Sequence, residues 1–193
     1  MKDSVRYNAI VIGTSAGGLR ALATLLEELP ENYRMPVIVV QHRLGNDRGK
    51  LLEEVLQQKC KIMVRQADEK ENIMNACVYV APPDYHLLVG DDRTFSLSAD
   101  EKVNYARPSI DVLFETAAEV YRDKLVGIIL TGANVDGQYG IEMVKRYRGL
   151  TIAHDPEEAE YPEMPKAAIA SGSVDRILSL NEIKKFLLGQ ATL

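Results

Sequence analysis

The sequence predicts an α/β fold: a mostly parallel sheet covered by helices on both faces, with a small antiparallel hairpin inserted. Three observations carry this. Short, continuous Val/Ile-rich runs alternate with segments of helical spacing, the pattern of strands buried on both faces. The middle of the chain breaks that rhythm with short strand candidates, two of them separated by Gly90-Asp91-Asp92-Arg93. A length of 193 residues, 46% hydrophobic and 26% charged, suits one domain with a sizeable core, so residues 1–193 are expected to form a single unit.

Residues 7–12 are apolar and end at Gly13, and residues 18–29 then take helical spacing with Leu22, Leu25, Leu26 and Leu29. A second run, Val37-Ile38-Val39-Val40, leads into Gln41-His42, and a polar loop through Asp47 precedes a helix carrying Leu51, Leu52, Val55 and Leu56. Residues 77–80, 87–89 and 95–97 are short strand candidates, the last two a hairpin. A helix over 108–122 opens with Pro108-Ser109-Ile110-Asp111, where proline suits the first turn and Asp111 the helix dipole. Residues 125–130 form a buried strand ending in Thr131-Gly132-Ala133-Asn134-Val135-Asp136-Gly137. A helix to Tyr147, a strand over 150–153, a Pro-rich loop, a short helix and a C-terminal helix near 181–188 complete the expected order.

The net charge of −5, with no dense Lys/Arg stripe interleaved with aromatics, argues against a nucleic-acid partner. No apolar run reaches the roughly 18 residues a membrane span needs. The polar N-terminus lacks the apolar stretch of a signal peptide, so a cytoplasmic protein is expected. Cys60 and Cys77 form no Cys-x-x-Cys pair and are expected to serve packing in a reduced compartment.

In an open parallel sheet, the loops leaving the C-terminal strand ends line one crevice, where ligands bind. Ser15 follows the first strand, His42 the second and Asp136 a later one. A serine hydroxyl is a weak nucleophile that needs an imidazole to take its proton and a carboxylate to fix the imidazole tautomer, and all three types are present. Gly13-Thr14-Ser15-Ala16-Gly17 also matches a nucleophile elbow, with backbone donors at the helix start beyond it.

Other readings stay open at this level. Small residues suit any tight turn, and a Gly-rich turn at a helix start can hold an anion or nucleotide in a non-catalytic binding or docking module. Against the latter, Ser15 takes the place of the second glycine of Gly-x-Gly-x-x-Gly, and no Walker lysine follows. His86 and His154 are rivals to His42, which is preferred because it directly follows a strand beside that of Ser15. The three histidines lack the short spacing of a zinc site, so no metal is expected. Asp136 could shape an Asp-Gly turn. Arg107 is either a cap neighbour or a cation for an acidic substrate. Residues 161–165 read as a rigid loop, with Met164 carried beside Arg107 as a candidate substrate contact.

These residues, taken together, resemble the catalytic domain of the CheB-type protein-glutamate methylesterases. The resemblance covers nearly the whole chain. It rests on Ile12-Gly13-Thr14-Ser15-Ala16-Gly17-Gly18, Gln41-His42, Ala81-Pro82 through His86, the Arg107-Pro108-Ser109-Ile110-Asp111-Val112-Leu113-Phe114 stretch, Leu130-Thr131-Gly132 through Asp136-Gly137, and Met164-Pro165 with Ala167-Ala168-Ile169. It implies a doubly wound, Rossmann-like sheet and a Ser15-His42-Asp136 triad, with the Ala16 and Ala133 N–H groups as oxyanion hole. It implies hydrolysis of glutamate γ-methyl esters on methyl-accepting chemotaxis receptors, with glutamine deamidation as a second activity and no cofactor.

The chain departs from the family at several positions. Thr131-Gly132-Ala133-Asn134 stands where Thr-Gly-Met-Gly is common, Ala16 where threonine is frequent, and Pro83 and Glu163 where glycine is usual. At Ala16 and Ala133 a backbone donor survives the change of side chain. Asn134 is the sharper departure, although asparagine tolerates a left-handed conformation. Pro83 and Glu163 bear on substrate fit more than on chemistry. With Ser15 at position 15, the sequence leaves no room for the family's N-terminal receiver domain, so an always-open site or control by another chain is expected.

Overall fold

The computed structural model describes residues 7–42 and 51–191; the expected polar loop through Asp47 and the first six residues lie outside them. Seven strands form one sheet: β1 (Ala9–Thr14), β2 (Val37–Gln41), β3 (Met63–Gln66), β4 (Cys77–Val80), β7 (Leu125–Ile129), β8 (Leu150–His154) and β9 (Arg176–Leu178). Their spatial order is β3-β4-β2-β1-β7-β8-β9, with every neighbouring pair parallel. The expected hairpin is present as β5 (His86–Val89) and β6 (Phe95–Ser98), paired antiparallel.

Alternate residues of the inner strands feed two separate cores. Ile10, Ile12, Val37 and Val39 pack with helices α1 (Gly18–Leu26), α2 (Leu51–Gln57) and α6 (Leu180–Gly189). Ala9, Val11, Ile38 and Val40 pack with α3 (Ile110–Tyr121), α4 (Gln138–Arg146), α5 (Glu163–Ala170) and the hairpin. That two-sided demand is why these strands are apolar throughout. Burial also outweighs local chemistry in α1, which has no side-chain cap. A cap is worth about 1 kcal/mol, whereas Leu22, Leu25 and Leu26, all fully buried, contribute roughly 1.5–3 kcal/mol each.

Two strands escaped the sequence reading. β3 and β9 are the sheet's edges, half-exposed and mixed in polarity (Met-Val-Arg-Gln and Arg-Ile-Leu), so neither shows a continuous apolar run. The first strand is shifted, extending through Gly13 and Thr14 to the residue before Ser15. The first helix stops at Leu26 rather than near Leu29, although Leu29 remains buried. Pro108 lies before α3 and not in its first turn, with Ser109 in the N-cap position. Cys60 and Cys77 are buried and unpaired, and burial pushes the Cys60 thiol up to about 11. Among the described residues, no helix is long and apolar enough to cross a membrane.

Strand order reverses at β1, with β2 on one side and β7 on the other. The crevice expected at such a switch point therefore lies where these three strands end.

Candidate active site

Ser15, His42 and Asp136 all leave that edge. The Ser15 N–H donates to the Thr131 carbonyl at 3.0 Å and the His42 N–H to the Thr14 carbonyl at 3.0 Å, binding the three strand ends together. Gln41 completes the tie, its Nε2 donating to the carbonyls of Ser15 and His42 at 2.8 Å each. Gly17 then turns the chain into α1 with φ 77°, a left-handed conformation that costs other residues about 1–2 kcal/mol.

His42 Nε2 lies 2.8 Å from Asp136 Oδ2, and the Asp136 side chain is wholly buried. The carboxylate also accepts from the Ile110 N–H at 2.7 Å, Ser109 Oγ at 2.8 Å, Asn104 Nδ2 at 3.2 Å and the Asp111 N–H at 3.3 Å. Burial alone would raise its pKa. The hydrogen bonds from His42, Ile110 and Asn104, with the attraction of His42, outweigh that and hold it below the ordinary carboxylate value. An ionised Asp136 places the imidazole proton on Nε2 and leaves the lone pair on Nδ1.

Asp111 meets the opposite balance. Its Oδ1 accepts from the N–H groups of Gly137 at 2.9 Å and Gly140 at 2.7 Å, so a residue of α3 caps α4. Burial and then the neighbouring Asp136 charge push it up to about 6. The sequence assigned Asp111 to its own helix dipole and missed this second task. It also missed Ser109, Asn104 and Asn134. Asn134 Nδ2 lies 3.1 Å from His42 Nδ1 and 3.5 Å from Ser15 Oγ, while no direct Ser15–His42 hydrogen bond forms among the described residues.

The rival histidines are engaged elsewhere. His86 is buried, its Nδ1 accepting the Ser109 N–H at 3.2 Å, which leaves Nε2 to donate to the Glu101 carbonyl at 3.0 Å. It thereby steadies Ser109 beneath Asp136. His154 is buried with neither ring nitrogen bonded among the described residues, and burial lowers its pKa. Arg107 directs Nη1 to the carbonyls of Ala99 at 2.7 Å and Asp100 at 2.9 Å. Met164 is 1% exposed, and a Cβ on Gly132 would come within 2.0 Å of its sulfur, so it backs the turn from inside. The N–H groups of Ala16 and Ala133 meet no acceptor among the described residues.

A cleft of about 520 Å³ opens beside Ser15, walled by Leu19, Ala23 and Val55 and edged by Arg20, Lys59 and Glu160. Among the described residues, no group of three His, Cys, Asp or Glu side chains is placed to hold a metal ion. A hydroxyl, an imidazole backed by a buried carboxylate and two backbone N–H groups without an acceptor among the described residues are groups that acyl transfer can use.

The CheB methylesterase family model matches residues 10–187. The chain belongs to the CheB methylesterase family. A relative from Leptospira interrogans, provisionally named a protein-glutamate methylesterase/protein-glutamine glutaminase, is 50% identical over 184 residues, covering 95% of each chain. The protein-glutamate methylesterase/protein-glutamine glutaminase of Thermotoga maritima is 35% identical over 97% of this chain but only 55% of its own length. The crystal structure of the Thermotoga maritima CheB methylesterase catalytic domain matches with a TM-score of 0.90 at 35% identity, covering 96% of this chain and 99% of that one. The family acts on esters, and its fold is the doubly wound one expected.

Proposed function

We propose that residues 1–193 act as one catalytic domain that hydrolyses glutamate γ-methyl esters on methyl-accepting chemotaxis receptors, releasing methanol, with deamidation of receptor glutamines as a second activity. The observation that carries this is the buried, five-donor Asp136 carboxylate set behind His42 at 2.8 Å, next to Ser15. A merely structural aspartate in an Asp-Gly turn has no need of a partly exposed imidazole as its partner.

In this mechanism Ser15 Oγ attacks the ester carbonyl as His42 Nδ1 takes its proton, and Asp136 stabilises the imidazolium. The N–H groups of Ala16 and Ala133 receive the developing oxyanion. Collapse returns the proton to the departing methoxide, leaving a glutamyl ester on Ser15. Water, activated by the same nitrogen, hydrolyses that ester. The direct serine–histidine contact closes when substrate fills the cleft, as catalytic hydrogen bonds commonly tighten only in the complex.

The test is methanol release from methylated receptor membranes. Wild type should release it, and Ser15→Ala should lose at least about 10⁴-fold in rate. Undiminished release by Ser15→Ala would sink the proposal.

A further inference from the structure

Asn134 sits where a side chain can interfere with the proton transfer. Its Oδ1 accepts the Asp136 N–H at 3.0 Å, an Asx turn that decides which end of the amide is oxygen. Nδ2 therefore faces the reacting groups, 3.1 Å from His42 Nδ1 and 3.5 Å from Ser15 Oγ. With the Nε2 proton committed to Asp136, His42 has a single lone pair, on Nδ1, and an Asn134 N–H already points at it. The Ser15 hydroxyl needs that same lone pair to lose its proton.

We infer that Asn134 is a positioning residue that holds the nucleophile at rest. Its amide caps the base, and substrate must displace the amide before Ser15 can be deprotonated. The inference rests on the triad reading above and adds a control to it. Two features make the cap self-consistent. Once Nδ1 carries a proton, two donors would face each other, and the amide cannot turn its oxygen inward without giving up the Asp136 N–H. The side chain must therefore swing away during the reaction. Its surroundings allow this, since Asn134 is only partly buried and its neighbours Ala133 and Val135 are exposed.

Removing the competing donor should quicken serine attack even on a small reagent that makes no other contacts. The experiment measures the second-order rate of Ser15 labelling by a fluorophosphonate in wild type, Asn134→Gly and Asn134→Ser, together with the ¹⁵N resonance of His42 Nδ1. Serine keeps a hydroxyl able to accept the Asp136 N–H but is too short to reach His42, so a loosened turn cannot explain a result it shares with glycine. Labelling should rise about 3- to 10-fold in both variants, the range given by one hydrogen bond. The Nδ1 resonance should move toward that of an unbonded ring nitrogen. Rates at or below wild type, or an unmoved resonance, overturn the inference while leaving the triad standing. A folded wild type that is never labelled at Ser15 overturns the triad, and the inference with it.

Discussion

The turns after β1 and β7 are built alike and used differently. Each follows a buried parallel strand, bends through a left-handed glycine (Gly17 at φ 77°, Gly137 at φ 99°) and opens a helix whose N-cap residue offers no side-chain bond. At α1 no side chain among the described residues caps the positive end of the helix, which lies beside Ser15 and the cleft. At α4 it is filled from within by the Asp111 carboxylate. The same backbone device thus offers donors to an incoming anion in one place and consumes them as structure in the other. What separates the two is which neighbouring side chain reaches the donors.

The sharpest way to break the second arrangement is at Asp136. Asp136→Asn keeps the shape but no longer fixes the proton on His42 Nε2, so ester turnover should fall by about 10⁴-fold while substrate affinity changes little. Steady-state kinetics that split kcat from KM check this.

A smaller effect separates the two carboxylates by the sign of their pH dependence. Asp111, pushed up to about 6, binds a proton in the folded state that the unfolded chain has already lost. Its contribution is full below its unfolded value and is lost as pH rises through about 6. Asp136, held low, contributes above its unfolded value and loses that contribution as pH falls. Glu27, Asp175 and Glu182, also held low, strengthen the fold as pH rises, so the Asp111 effect is read as a difference. The stability of wild type relative to Asp111→Asn in urea unfolding should fall by about 2 kcal/mol from pH 4 to pH 6.

Smallest is the cost of a Cβ at the two glycines. Gly17→Ala should cost about 1–2 kcal/mol, mainly from its left-handed backbone. Gly137→Ala should cost more, because the new carbon would come within 2.6 Å of Ile129 Cδ1 as well. Thermal unfolding of the pair ranks them.

Much of this was legible in the sequence because it depends on one segment at a time. The inner strands, the hairpin and the strand-end positions of Ser15, His42 and Asp136 follow from local pattern and from the rule that ligands gather at a switch point. The edge strands β3 and β9 did not, since half-exposed strands carry no continuous apolar signal. Nor did the roles of Asn104, Ser109 and Asp111, which come from reach across 26 to 32 residues of chain. Asn134 was visible as a departure from the family's glycine, but its contact with His42 is visible only in three dimensions.

Asp136 rests on the first amides of α3, and Asp111, from α3, rests on the first amides of α4. Each helix is thus registered by an acid carried on, or next to, the other. The consequence is mechanical: α3 and α4 cannot slide or part without releasing the carboxylate behind His42. The orientation of the imidazole is therefore only as durable as the docking of that helix pair, which makes it a property of one cooperative opening unit and not of the sheet as a whole.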